Sequence, residues 1–152
     1  MESSYLAIMN KKIIRPIAIC VFENENRILT YSHYDEVKKL PFHRPIGGGL
    51  DYQETSESCI IRESREELAQ EIEEVALVGI LENIFTYEGN PKHEIVFVYN
   101  AQFKDKTIYS KQELKVTEDN GEEFTACWRE LNYFDDYQRL VPEGLKRLLL
   151  NK

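Results

Sequence analysis

Residues Gly48 to Gln70 read GGLDYQETSESCIIRESREELAQ and space one glycine, one arginine and four glutamates in a pattern suited to metal chemistry. Gly48 is followed after five residues by Glu54, after seven more by Arg62-Glu63, and then by the pair Glu66-Glu67. On a helix running from Thr55 onward, Glu63, Glu66 and Glu67 are related by three- and four-residue steps and share one face. Carboxylates so placed repel one another, and an isolated helix gains nothing from them. A hard divalent cation reverses that balance, because Mg²⁺ and Mn²⁺ prefer carboxylate and carbonyl oxygens. The alternative is a solvated, Glu-rich amphipathic helix, which is common and which this acidic composition makes commoner.

The stretch resembles the signature of the Nudix hydrolases, G-x5-E-x7-R-E-U-x-E-E-x-G-U with U a bulky aliphatic residue. Gly48, Glu54, Arg62, Glu63, Glu66 and Glu67 fall on fixed positions, whereas Ser64 and Gln70 occupy aliphatic slots and Ala69 replaces the terminal glycine. The resemblance implies a Nudix-type α/β/α sandwich with a central mixed β-sheet. It also implies hydrolysis, with Mg²⁺ or Mn²⁺, of a phosphoanhydride in a nucleoside diphosphate linked to another moiety. On that reading Glu66 and Glu67 ligate the metal, Glu63 completes its shell or accepts a proton from water, and the Gly47 carbonyl adds a ligand. Glu54 and Arg62 form a supporting salt bridge. Ala69 lacks the conformational freedom of the glycine that would end the helix, so the helix is expected to run on to Ile72 or Glu74.

Family members often use a further acid from a loop outside the signature. Glu118, Glu122 and Glu123 precede a strand carrying Trp128, and Glu122 is the expected contributor; Glu94, beside His93, is a weaker one. The proline that marks ADP-ribose pyrophosphatases is replaced by Phe85. Tyr87 stands where dinucleoside polyphosphate hydrolases resemble one another in having a tyrosine. Phe85 and Tyr87 are therefore candidate base-stacking residues, with Tyr34, Phe42 and Tyr52 as further aromatic candidates. Three readings compete: a nucleoside triphosphate pyrophosphatase clearing damaged nucleotides, a non-catalytic nucleotide-sensing module, and a purely structural acidic domain with no dependence on divalent ions. A sensor is expected to lose a glutamate of the signature, and this chain keeps them.

The elements that must position these residues belong to one expected domain spanning 1–152. With 27 acidic against 19 basic residues the chain carries a net charge of −8, which argues against a nucleic acid polymer as partner. No apolar run approaches a membrane span, and MESSYLAIMNKK lacks the apolar core of a signal peptide. Cys20, Cys59 and Cys127 are odd in number and widely spaced, so reduced thiols and a cytoplasmic address are expected. A homodimer is plausible on family grounds. Ile13 to Phe22 reads as a strand apolar on both faces, Arg27 to Tyr31 as its successor, and Gly47-Gly48-Gly49 as a tight connection. Val75 to Phe85, Glu94 to Phe103 and Glu123 to Trp128 read as further strands. Lys104 to Asn120 reads as a loop with a short strand near Ile108. Val141-Pro142-Glu143 opens a terminal helix with Leu145, Leu148 and Leu149 as its stripe.

Overall fold

A computed structural model describes residues 12–152, so the N-terminal segment read above lies outside them. The strands divide between two sheets. β1 (Arg15–Val21), β5 (Ile46–Gly49), β6 (Ile72–Tyr87) and β7 (Asn90–Phe103) form a mixed sheet in the order β5-β1-β7-β6, in which β1 and β7 run parallel. β2 (Glu23–Asn24), β3 (Arg27–Asp35), β4 (Leu40–Arg44), β8 (Glu113–Thr117), β9 (Glu123–Glu130) and β10 (Arg139–Leu140) form the second, in the order β10-β4-β3-β9-β8 with β2 on β3. Helix α1 spans Ser56–Leu68, and the short α2 spans Leu145–Leu150. The α/β class expected from the sequence is the observed one.

β1 shows why the chain folds this way. Alternate side chains of a strand point to opposite faces. Ala18, Cys20 and Phe22 join the core under α1, while Ile17, Ile19 and Val21 join a second core under α2 with Val96, Leu145 and Leu149. A strand serving two cores must be apolar on both faces, as its sequence is. The β6–β7 hairpin turns at Glu88 (φ 48°) and Gly89 (φ 81°), both left-handed, as a two-residue hairpin loop prefers. Its tip is tied to the second sheet by the buried carboxylate of Asp35, which accepts from Glu88 N at 3.1 Å. The terminal helix keeps its expected stripe, with Leu145 and Leu149 buried and Leu148 packed beside them.

Three local expectations give way. Ile108 lies in a 3-10 turn, Lys106–Ser110, and the strand follows it at Glu113–Thr117. There Leu114 and Val116 are buried while Glu113 and Lys115 are exposed, an alternation of period two. β3 continues past Tyr31 to Asp35 because β4 offers it a partner through that length. The glycine triplet is not a bare connection but strand β5, paired antiparallel with β1 through Ala18↔Gly48 and Ile19↔Gly47. Among the described residues no helix is long and apolar enough to cross a membrane, and all three cysteines are free thiols.

Candidate metal centre

β5 is glycine-rich because two other parts of the molecule occupy the space of its side chains. A Cβ at Gly47 would lie 2.1 Å from the Ala18 carbonyl oxygen, and one at Gly48 would lie 2.5 Å from Glu63 Oε1. The signature glycine thus marks the spot where a glutamate of the same signature lies against the strand.

Thr55 caps α1, its hydroxyl accepting from Ser58 N at 3.1 Å. The helix buries Cys59, Ile60, Glu63, Ser64, Glu67 and Leu68. Ser64, in an aliphatic slot of the signature, satisfies its buried hydroxyl by donating to Ile60 O at 2.8 Å. The helix does not run on to Ile72. It stops at Leu68, and Ala69 takes the left-handed conformation (φ 56°, ψ 39°) despite its Cβ. Ala69 N donates to Arg65 O at 3.0 Å and Gln70 N to Ser64 O at 3.3 Å, so the usual glycine-type cap forms on an alanine. Ile72 already opens β6, paired with Phe103, and this pairing with its buried side chains outweighs about 1 kcal/mol of backbone strain.

Arg62 organises the exposed side of the helix. Nε donates to Glu54 Oε2 at 2.7 Å, and Nη2 donates to Glu54 Oε1 at 2.8 Å and to Gly49 O at 3.1 Å. Nη1 donates to Glu63 Oε1 at 3.0 Å and Glu66 Oε2 at 3.1 Å. All five N–H donors of the guanidinium are engaged with oxygen. These hydrogen bonds hold the Glu54 carboxyl down at about 2. Burial acts oppositely on the inner face: it raises Glu63 despite Arg62, and pushes Glu67 up to about 8 against the pull of Arg44 and the Gly47 amide.

The second sheet supplies the opposite wall. Tyr31 is 1 % exposed, and its hydroxyl lies 2.8 Å from Glu118 Oε2 and 3.3 Å from Glu67 Oε2. Glu67 Oε1 accepts from Gly47 N at 2.8 Å. The residue after Glu118 completes a cluster: ligand oxygens of Glu63, Glu66 and Asp119 all lie within 4.8 Å of one another. Of the loop acids, Asp119 and not Glu122 joins this cluster. Glu122 accepts from Asn120 Nδ2 at 2.9 Å within the turn, and Glu123 pairs with Lys115 at 2.8 Å. Glu94 lies 4.0 Å from Arg15. The Gly47 carbonyl accepts from Arg44 Nη2 at 3.3 Å. Tyr87 meets Phe42 edge-on at 5.7 Å, and Phe42 stacks on His33 at 5.4 Å, which tilts against Phe124 at 4.4 Å. Phe85 is half-buried and enters no aromatic pair among the described residues.

Sequence reasoning brought Glu54, Arg62, Glu63, Glu66 and Glu67 together, and missed Asp119, Tyr31 and Arg44. A usable signal for the first was the turn Asp119-Asn120-Gly121, which presents an acid at the tip of the β8–β9 connection. Such a donor set, carboxylate oxygens with one pre-neutralising arginine, suits a hard divalent cation.

The NUDIX domain family model matches residues 13–147. Among solved structures, the MutT NUDIX hydrolase from Burkholderia pseudomallei superposes with a TM-score of 0.63 at 22% identity, covering 91% of this chain and 98% of that one. A NUDIX hydrolase from Nitrosomonas europaea gives 0.64 at 14% identity, covering 91% of this chain and 88% of its own. The MutT protein from Bacillus halodurans gives 0.58 at 15% identity, covering 90% and 80%. At these identities the structures show a shared fold. The chain belongs to the NUDIX domain family. It is an enzyme of the pyrophosphohydrolase class.

Proposed function

We propose that this enzyme hydrolyses the phosphoanhydride of a nucleoside diphosphate linked to another moiety, with Mg²⁺ or Mn²⁺ held by Glu63, Glu66, Glu67 and Asp119. The observation that carries the reading is the convergence of Glu63, Glu66 and Asp119 within 4.8 Å, with Arg62 of the same helix donating to Glu63 and Glu66. When bound, the metal supplies neutralisation of phosphate charge and acidification of water. The chain's own residues supply position. Arg62 and Glu54 hold Glu63 and Glu66 in place, and Gly47 N fixes Glu67. Tyr31 fixes Glu118 Oε2, which leaves Oε1 to accept the proton of the attacking water. The row Tyr87, Phe42, His33 and Phe124 supports a nucleobase-bearing substrate, since every base has a π-face.

The test is phosphate release across a panel of ADP-ribose, nucleotide sugars, dinucleoside polyphosphates, and ordinary and oxidised nucleoside triphosphates, with Mg²⁺ or Mn²⁺. Turnover of a diphosphate class is expected, with Glu67→Gln lower by at least about 100-fold. The Gln side chain still accepts from Gly47 N, so the fold is kept. Turnover confined to triphosphates would replace the diphosphate reading. Wild-type rates in Glu67→Gln would remove Glu67 from the ligand set.

A further inference from the structure

The site holds Glu54, Glu63, Glu66, Glu67, Glu118 and Asp119, yet the substrate proposed for it is itself an anion. Metal charge is largely consumed by its own ligands, so the diphosphate needs another cation. Two arginines face the carboxylates, and they differ in what they have left to give. Arg62 has none of its N–H groups free, and turning it toward a substrate would strip buried Glu63 and half the Glu54 pair.

Arg44 is the reverse case. It lies on β4 opposite Tyr31 in register, with its guanidinium carbon 5.7 Å from the Tyr31 ring centroid. Its one hydrogen bond among the described residues is the 3.3 Å contact from Nη2 to Gly47 O. It makes no ion pair among the described residues, although Glu67, Glu118 and Glu94 are near enough to stabilise its charge, Glu67 and Glu118 being residues of the site. Most of the planar fork of this half-buried guanidinium is unused by protein groups, and its free N–H groups are not among the fully buried ones, so they remain open to an incoming ligand. A phosphate matches that fork in shape and charge.

We infer that Arg44 receives the diphosphate of the substrate, acting as the binding residue that draws it over the carboxylate cluster. The inference rests on the diphosphate reading of the preceding section. Arg15 is the rival cation: it lies beside Gly49, but its side chain is 57% exposed and faces Glu94 at 4.0 Å.

Methylenediphosphonate, whose P–C–P bridge cannot be hydrolysed, is the probe. Its binding to the full chain with Mg²⁺ is measured calorimetrically for the wild type, Arg44→Gln, Arg44→Lys and Arg15→Gln, with thermal melts confirming each fold. Arg44→Gln is expected to weaken binding about 10- to 100-fold, Arg44→Lys by less, and Arg15→Gln by no more than about twofold. With a substrate from the panel, KM rises by a similar factor in Arg44→Gln while kcat stays within about threefold. Unchanged binding in both Arg44 variants, loss in Arg15→Gln instead, or a wild type that ignores the probe would each overturn the assignment. If binding depends on Arg44 but the panel shows no turnover, the receptor stands and the hydrolytic reading falls.

Discussion

Helix α1 and the wall that faces it hold their polar groups in opposite conditions. On the helix side, Arg62 satisfies every donor it has, and Glu54 and Glu63 are paired within 3.0 Å. On the strand side, one Tyr31 hydroxyl, with a single proton, serves two carboxylates. There, among the described residues, the buried His33 Nε2 has no aligned hydrogen bond despite lying 3.5 Å from Glu118, and the Arg44 side chain makes one long hydrogen bond. The arginine of the helix side is fully partnered before any ligand arrives, whereas the arginine of the strand side keeps most of its N–H groups free among the described residues. A hydrolase benefits from this division, because preset acids cost no reorganisation while unmet donors favour substrate entry.

Removing Arg62 breaks the complete side and has the largest expected effect. Arg62→Ala leaves Glu63 buried without its cation, so stability falls by about 3 kcal/mol and turnover by about 100-fold. Chemical denaturation and steady-state rates check both, and wild-type stability would mean that the helix side is no more fixed than the other. Next comes pH. Glu67 is raised from 4.5 to about 8 in the folded protein, and Glu63 is raised as well. The folded state therefore binds more protons than the unfolded chain above about pH 4.5. The contribution of these two glutamates to metal-free stability is fullest below that value and is lost as pH rises toward about 8, by on the order of 4 kcal/mol. Mg²⁺ should stabilise increasingly over the same range, since its ligands must be ionised. Melts in EDTA and in MgCl₂ across pH 5 to 8 test this, and parallel curves would contradict it.

Tyr31→Phe sharpens the contrast from the strand side. It keeps the ring beneath Phe124 and His33 and removes the hydroxyl that holds Glu118. About a tenfold loss in kcat is expected with about 1 kcal/mol of stability, and hydrogen exchange of the 117–122 turn should quicken. An unchanged kcat would separate Glu118 from the chemistry. The smallest effect is expected at the helix end. Ala69→Gly relieves a left-handed alanine, raising stability by about 1 kcal/mol and Tm by about 3 °C while rates stay near wild type. A large change in rate would mean that the strained cap takes part in function.

The same division explains what the sequence made legible. Glu54, Arg62, Glu63, Glu66 and Glu67 are joined by local spacing, and helical geometry converts that spacing directly into contacts. Tyr31, Arg44 and Asp119 reach the site only through the pairing of β3 with β4 and β9, across gaps that no periodicity measures. Glu122, expected from among Glu118, Glu122 and Glu123, accepts from Asn120 within the turn while Asp119 approaches Glu63 and Glu66, since a loop acid is placed by how the turn lies. The helix end was misread because a local rule about alanine was set against the pairing of Ile72 with Phe103, which lies far along the chain. β1 and β7 were readable because a strand apolar on both faces has few other places to lie.

The contact between Gly48 and Glu63 bears on protein engineering. Copying the three helix glutamates onto another scaffold would carry over the charges without the hollow that one of them fills. The smallest transplantable unit is therefore a helix together with a bare stretch of neighbouring strand, and a graft lacking the latter would push Glu63 out of line before any ion was added.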